Sequence, residues 1–286
     1  MGLASITIFE QVVRWYALNP RLFQSVVNQN DVSALVACLP PFLGMIAMQG
    51  VHELGHIWAA RRHRVKLGLP TPIPSFQLGF FGAITPVESF PPSRTALLDL
   101  ALSGPVAGIL SSIGLMVGGT LATVYASAEA LSRFPVVNVA MIKGSFFVGG
   151  LMTLLAPKVI MLPSPQPIPI HPAFLIGFVG LITNALNMLP MGRLDGGRAY
   201  TAIFGARSAA RASIGTMLLI ALSAIGDKSS VAFLWWFLVF LFQRKPEIPL
   251  QDGVSDVDDV RVSVFLAAFA VSILALLPFP GGQGFF

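Results

Sequence analysis

The feature that most limits how this chain can fold is the apolar run at residues 33–60, in which Glu53 is the only formally charged side chain. A transmembrane helix needs about 20 largely apolar residues, so this run is predicted to cross a membrane. Charged residues make up only 11% of the chain, against about 25% in soluble domains. Further apolar segments are found at residues 96–126, 136–162, 172–190, 208–226, 230–243 and 262–278. We therefore predict an all-α polytopic membrane protein with about five to seven membrane segments.

Two parts are expected along the chain. Residues 1–31 are predicted to be an interfacial segment, with an amphipathic helix over 4–27, because Glu10, Arg14 and Arg21 disfavour a spanning helix. No signal-peptide pattern is present there, so a targeting sequence is expected to be absent from this chain. Residues 32–286 are predicted to be the membrane domain, with a proline-rich loop at 163–171 and an acidic loop at 246–260. Pro40 and Pro41 are predicted to kink its first helix.

A HELGH motif lies within the first run, at residues 52–56. On a helix, His52 and His56 are one turn apart and lie on the same face. Two imidazoles at this spacing are typical ligands of a shared metal ion, and Glu53 beside them is a candidate general base. Ionisable side chains are costly inside a membrane, so the cluster predicts a functional site.

The basic residues after the motif predict the depth of this site. They are expected to stay on the cytoplasmic or stromal face, and they are Arg61, Arg62, Arg64 and Lys66. At about 1.5 Å per residue, His56 lies roughly 7 Å and His52 roughly 13 Å inward from Arg61. The hydrocarbon core is about 30 Å thick, so the site is predicted within the membrane and nearer the basic face.

Residues 67–94 have a different character. Three prolines exclude a helix at the start of this segment, and residues 76–85 are typical of a short strand with glycine breaks. Such a strand must be shielded from lipid or line a wet cavity.

The HELGH motif supplies two ligands, and a third must come from elsewhere. Soluble HExxH enzymes with the extended motif have glycine and histidine where this chain has Ala59 and Arg62, which excludes that arrangement. His63 is predicted to be an interfacial anchor just past the span. His171, at the start of the 172–190 helix, is predicted to lie at the opposite face of the membrane.

Asp195 remains as the candidate third ligand. It follows a helix break at Pro190, near the basic face, and the glycines after it allow close approach of the backbone. A simpler interpretation makes Asp195 the N-cap of a helix that begins at residue 196, and this role is compatible with metal binding. Glu88 in the strand-like region is a weaker rival ligand.

Several motifs together resemble the site-2 protease family of intramembrane zinc metalloproteases. They are HELGH within a membrane helix, NMLP at residues 187–190 and LDGG at 194–197. Four further segments resemble the plastid and cyanobacterial branch named for ethylene-dependent gravitropism deficiency and a yellow-green phenotype, at residues 78–85, 103–108, 170–172 and 243–247. That branch usually has a longer N-terminal extension than this chain.

The resemblance implies that His52, His56 and Asp195 bind one Zn²⁺ per chain, with Glu53 as the general base. It implies that Asn187 holds the substrate backbone or the oxyanion. It also implies that the substrates are transmembrane proteins cleaved in or near their membrane segments. Such a substrate must be locally unwound before cleavage, and residues 76–85 are predicted to bind it as an added strand near Leu78 and Phe80. The expected location is a plastid (chloroplast) membrane or, alternatively, a cyanobacterial membrane.

The alternative function is an ion or proton transporter or channel that uses the same ionisable cluster. A transporter predicts paired half-sequences with matching broken helices, and the sequence shows none. The net charge of +5 is assigned to membrane topology, so the expected partners are the lipid bilayer and protein substrates, with no nucleic acid and no nucleotide. Cys38 is the only cysteine, which excludes an intramolecular disulfide.

Overall fold

A computed structural model describes residues 2–226, 230–242 and 247–282 of the chain. The helices before residue 150 are α1 (Gly2–Ala17), α2 (Pro20–Phe23), α3 (Leu39–His63), α4 (Arg94–Val124), α5 (Ala128–Leu131), α6 (Val139–Lys143) and α7 (Phe146–Leu155). The later helices are α8 (Pro157–Ile160), α9 (Pro172–Asn187), α10 (Asp195–Phe204), α11 (Ala206–Gly226), α12 (Ser230–Phe242) and α13 (Asp259–Leu276). The strands are β1 (Thr71–Ser75), β2 (Gly79–Ile84), β3 (Val136–Asn138) and β4 (Pro167–Pro169).

The predicted mostly helical fold with a small strand hairpin is confirmed. Three segments are long and apolar enough to cross a membrane, namely Val32–His63, Arg94–Val124 and Asp259–Leu276. Three shorter apolar helices accompany them among the described residues: Phe146–Leu155, Pro172–Asn187 and Phe233–Phe242. The range of five to seven membrane segments depends on how many of these shorter helices cross, and it stays a prediction.

The N-terminal helix α1 is shorter than the predicted helix over 4–27. It ends at Ala17, and Asn19 caps the separate helix α2, which begins at Pro20. One face of α1 packs on the β1–β2 hairpin, where the Thr7 hydroxyl donates to the Gly79 carbonyl at 2.6 Å. The interfacial placement of residues 1–31 stays a prediction.

The predicted proline kink in the first membrane helix is wrong. A 3₁₀-helix covers Val32–Cys38, and α3 begins at Leu39, so Pro40 and Pro41 lie in its first turn. The first turn has no intrahelical acceptors for its N–H groups, so prolines are tolerated there without breaking a hydrogen bond. The HELGH motif consequently lies in an uninterrupted α-helix.

The hairpin after α3 is antiparallel and irregular. Thr71 pairs with Ile84 and Ser75 with Gly79, and a register shift lies between Pro72 and Pro74. Two of the three prolines predicted to exclude a helix, Pro72 and Pro74, are part of β1. This is compatible with an edge strand, because proline lacks a ladder donor. An isolated bridge between Leu67 and Val87 extends the pairing back towards α3.

The apolar region at 136–162 is divided into short elements. It contains β3 and the helices α6, α7 and α8, and β3 pairs with β4 of the proline-rich loop. Its longest helix, α7, has 10 residues, too short to span about 30 Å alone.

The core of the fold is the packing of α4 against α9 and α3. A polar cluster also links three membrane helices at one end: Asp99 of α4 contacts His63 of α3 at 2.8 Å and Arg261 of α13 at 2.6 Å. Asp99 is therefore a polar contact between helices.

Candidate metal centre

Helix α3 places the two motif histidines and the glutamate in the protein interior. His52, Glu53 and His56 are 4%, 8% and 5% exposed, whereas Leu54 and Trp58 on the opposite face are each 63% exposed. The Nε2 atoms of His52 and His56 lie 2.9 Å apart. The helix thus presents an apolar face outward and its ionisable side chains inward, as the 3.6-residue period requires.

Hydrogen bonds assign the same tautomer to both imidazoles. His56 Nδ1 lies 2.8 Å from the Leu100 carbonyl, which only accepts, so Nδ1 carries the proton. His52 Nδ1 lies 2.8 Å from Asn184 Oδ1. The Asn184 amide orientation is defined because its Nδ2 donates to the Gly180 carbonyl at 2.7 Å. With both Nδ1 atoms protonated, the two Nε2 lone pairs face the same space.

Asp195 completes the set from a different part of the chain. Its carboxylate lies 3.4 Å from His52 Nε2 and 3.5 Å from His56 Nε2, and the side chain is largely buried. Within the described residues, His52, His56 and Asp195 form the one group of histidine, cysteine and acidic side chains that converges closely enough to hold a metal ion. The N-cap interpretation is wrong, because α10 begins with Asp195 itself and Leu194 occupies the cap position.

Two glycines allow this approach of α10. A Cβ atom on Gly196 would overlap the Met188 carbonyl, and one on Gly197 would overlap the Gly192 carbonyl. The turn after α9 therefore packs directly on the backbone at the start of α10. The expected close backbone approach at these glycines is confirmed.

The donor set fits a tetrahedral zinc ion. Zn–N and Zn–O bonds of about 2.0–2.2 Å place neighbouring ligand atoms roughly 3.3–3.6 Å apart. The two distances between histidine and aspartate match this separation, and the 2.9 Å between the two Nε2 atoms is shorter. Two unprotonated nitrogens facing a carboxylate form a site for a cation, because lone pairs in contact repel without one. Three protein ligands leave a fourth position open, as in catalytic zinc sites.

Glu53 is held by two hydrogen bonds that the sequence analysis did not predict. Gln49 Nε2 donates to Glu53 Oε1 at 2.9 Å, and the Thr85 hydroxyl donates to Glu53 Oε2 at 2.7 Å. Gln49 was detectable in principle, because it lies four residues before Glu53 and thus on the same helix face. Thr85 gave no local signal, since it reaches Glu53 only through the fold of the hairpin.

Asn187 lies at the end of α9, against the hairpin. Its side chain is 7% exposed, and a Cβ atom on Gly82 of β2 would come within 2.6 Å of Asn187 Nδ2. Leu78 and Phe80 are 7% and 2% exposed, so their side chains are part of the core. Contact of these three residues with substrate stays a prediction. For Leu78 and Phe80, the contact would be made by backbone groups, because their side chains are buried.

Other candidate ligands lie outside the metal group. His171 caps α9, where its Nδ1 accepts from the Ala173 N–H at 3.2 Å, and His63 contacts Asp99. Glu88 is not a member of the convergent group among the described residues. Asn184 is a residue that the sequence analysis missed, although a polar residue within an otherwise apolar helix was a usable signal.

Arg198 is buried and paired with a carboxylate, and it does not lie exposed at a membrane interface. Arg198 is 8% exposed, and its Nε atom contacts Glu247 Oε2 at 2.9 Å. A guanidinium three residues after Asp195 on α10 lies inside the protein because a buried carboxylate is available to it. The segment predicted to characterise the branch at residues 243–247 lies outside the described residues except for Glu247.

The fold and the site define a class: a mostly helical membrane protein whose buried His–His–Asp set fits a divalent metal beside a glutamate. The chain belongs to peptidase family M50, whose family model matches residues 41–225. This confirms the family predicted from the motifs.

Three curated relatives illustrate the similarity. The probable zinc metalloprotease EGY2, chloroplastic, of Arabidopsis thaliana is 36% identical over 247 residues, covering 85% of this chain and 42% of that protein. EGY1 of Oryza sativa subsp. japonica, described in the same words, is 35% identical over 246 residues, covering 85% and 41%. EGY3 of the same rice is 28% identical over 256 residues, covering 85% and 42%. The chain thus spans about two-fifths of the length of these relatives. No solved structure matches it.

Proposed function

We propose that this chain is an intramembrane zinc metalloendopeptidase that cleaves membrane proteins in or near their transmembrane segments. The observation that carries the proposal is the convergence of His52, His56 and Asp195, from helices 139 residues apart in sequence (195 − 56), next to Glu53. A bound zinc would polarise the scissile carbonyl and activate the attacking water. The similarity to relatives named probable zinc metalloproteases supports the same chemistry.

Glu53 is assigned as the general base. It is adjacent to a ligand in sequence and buried, and its two oxygens accept hydrogen bonds from Gln49 and Thr85. It takes the proton of the attacking water and later transfers it to the leaving amine. Asn187 is assigned to the substrate carbonyl, because no hydrogen bond to its amide is found within the described ranges and the amide group faces the hairpin.

The location of the site supports a substrate within the membrane. His52 and His56 lie in the candidate span Val32–His63, and the opposite face of α3 exposes Leu54 and Trp58. A helix that is apolar outside and ionisable inside is what a lipid-embedded catalytic site requires. We further propose a chloroplast membrane as the location, because the relatives are named chloroplastic.

The hairpin is proposed to bind the substrate as an added strand. A helical substrate hides its peptide bonds, so the scissile segment must unwind before attack. Strand β2 pairs only with β1 among the described elements, and the residue after it, Thr85, contacts Glu53. A strand added along β2 would therefore end at the general base.

The experiment that tests the function compares purified, reconstituted wild type with Glu53→Gln on a panel of single-span substrates. Equal zinc content in both, with cleavage by the wild type alone, is the expected result. Cleavage by Glu53→Gln at the wild-type rate would overturn the role of Glu53. Substrate peptides with N-methylated backbone at alternate residues test strand addition, since cleavage at an unchanged rate would exclude pairing with β2.

A further inference from the structure

We infer that Thr85 is a positioning residue for the general base, and that it makes the geometry of Glu53 depend on the β1–β2 hairpin. This inference rests on the proposed function, because Glu53 must act as a base for its positioning to matter to a rate. It starts from one contact, the 2.7 Å hydrogen bond from the Thr85 hydroxyl to Glu53 Oε2.

The two oxygens of Glu53 are held from different parts of the fold. Oε1 accepts from Gln49, one turn earlier on the same helix, whereas Oε2 accepts from Thr85, 32 residues further along the chain. Gln49 alone leaves the carboxylate free to rotate about the bond that joins it to the side chain. The second donor, on a separate element, removes that rotation. Because a carboxylate has about four acceptor positions, both bonds leave it able to take a proton.

The position of Thr85 is itself fixed on both sides. Ile84 before it pairs with Thr71 of β1. After it, the Gly68 N–H donates to the Pro86 carbonyl at 2.8 Å, and the Glu88 N–H donates to the Lys66 carbonyl at 2.8 Å. Residues 66–68 follow directly from the end of α3, the helix that carries Glu53. The chain therefore leaves the end of α3, forms the β1–β2 hairpin and brings the Thr85 hydroxyl back to Glu53 on the same helix.

This arrangement connects substrate binding to the base. A strand added along β2 shifts or stiffens the segment that holds Thr85, and Thr85 transmits that change to Glu53 through one hydrogen bond. Misplacement of a reacting group by about 1 Å costs on the order of a hundredfold in rate. Hydrogen bonds to charged groups are also among the stronger ones in proteins. We expect loss of the hydroxyl to lower kcat by about tenfold to a hundredfold.

The test uses two substitutions at one position. Thr85→Val keeps the shape and removes the hydroxyl, whereas Thr85→Ser keeps the hydroxyl and removes the methyl group. We expect Thr85→Val to retain zinc and KM while kcat falls, and Thr85→Ser to recover most of the lost rate. Thr153→Val is the matched control, because the Thr153 hydroxyl donates only to the Gly149 carbonyl of its own helix.

Three outcomes would overturn the inference: an unchanged kcat in Thr85→Val, a change confined to KM, or equal loss in Thr85→Ser. A readout independent of cleavage is the infrared difference between each protein and the same protein with Glu53→Gln, which isolates the Glu53 carboxylate bands. We expect these bands to shift in Thr85→Val and to be restored in Thr85→Ser, and bands that do not shift would refute the contact. A wild type that cleaves no substrate while the bands shift would count against the protease function alone.

Discussion

At the scale of single residues, the centre depends on groups that hold the ligands as much as on the ligands. His52 and His56 are oriented by Nδ1–H bonds to Asn184 and to the Leu100 carbonyl. The Asn184 partner is a side chain and can be removed by substitution, whereas the Leu100 partner is a backbone carbonyl and cannot. Outer partners of metal-bound histidines define both the tautomer and the ring orientation.

Removal of the Asn184 amide should therefore weaken zinc binding. We expect Asn184→Ala to raise the zinc dissociation constant by about 10–100-fold, because His52 loses the acceptor that keeps its proton on Nδ1. Competition with a chromophoric chelator measures this constant without any substrate. An unchanged constant would show that Asn184 does not orient His52.

Thr183 provides the matched control for that experiment. It is adjacent to Asn184 and equally buried, and its hydroxyl is the one fully buried side-chain polar atom without a partner in the described parts of the chain. Thr183→Val should leave zinc affinity unchanged, with stability neutral or improved, because an unsatisfied hydroxyl is replaced by a methyl group of similar size.

At the scale of secondary-structure elements, the small residues of α4 make room for the site. A Cβ atom on Gly104 would overlap the His56 imidazole, and one on Gly108 would overlap the Asn184 amide. The small residues at 103–118 therefore determine where two side chains of the centre lie, in addition to letting α4 pack closely against its neighbours. A Cβ atom on Gly114 or Gly118 would have no neighbour within 4 Å among the described residues.

Alanine substitutions on α4 should have different effects at glycines that contact the centre and at glycines that contact nothing. Gly104→Ala should lower both zinc content and thermal stability, because the added methyl group displaces His56. Gly114→Ala should leave zinc content unchanged and raise the free energy of unfolding by about 0.5–1 kcal/mol, since alanine is the better helix former. Metal analysis and unfolding in detergent measure both, and equal zinc content in the two variants would contradict the assigned role of Gly104.

At the scale of the whole molecule, the centre is assembled from distant segments. Asp195 reaches the histidines of α3 because α9 packs beside α3 and α4, and the turn after α9 starts α10 at the right place. On α10, Arg198 also pairs with Glu247, which follows α12 in the chain. This buried ion pair links the helix of the third ligand to the C-terminal part of the protein.

Removing one partner of this ion pair should destabilise the protein more than replacing both partners with apolar residues. Arg198→Met should lower the free energy of unfolding by about 3–5 kcal/mol, because the Glu247 carboxylate remains buried without its partner. The double substitution Arg198→Met with Glu247→Leu should recover most of this loss, since no uncompensated charge remains. Equal destabilisation in the single and double variants, measured by unfolding in detergent, would contradict this account.

The local sequence was sufficient to predict how the two motif histidines pair, although it also contained the unrecognised Gln49 one turn before Glu53. Two histidines four residues apart on a long apolar helix lie on one face whatever the rest of the chain does, so their pairing was predictable, as was the helical membrane fold. Proline position was harder to interpret, because Pro40 and Pro41 break a helix only if the helix has already begun.

Only the tertiary structure decided the rest. Asp195 was a candidate among several until packing of α9 and α10 brought its carboxylate within 3.5 Å of both imidazoles. Asn184, Thr85 and the Arg198–Glu247 pair act across segments that are far apart in sequence, and no periodicity encodes such contacts. The chain's own spacing thus predicted that His52, His56 and Glu53 lie together on α3, while long-range packing brought Asp195 to the two histidines and placed Asn184 and Thr85 beside His52 and Glu53.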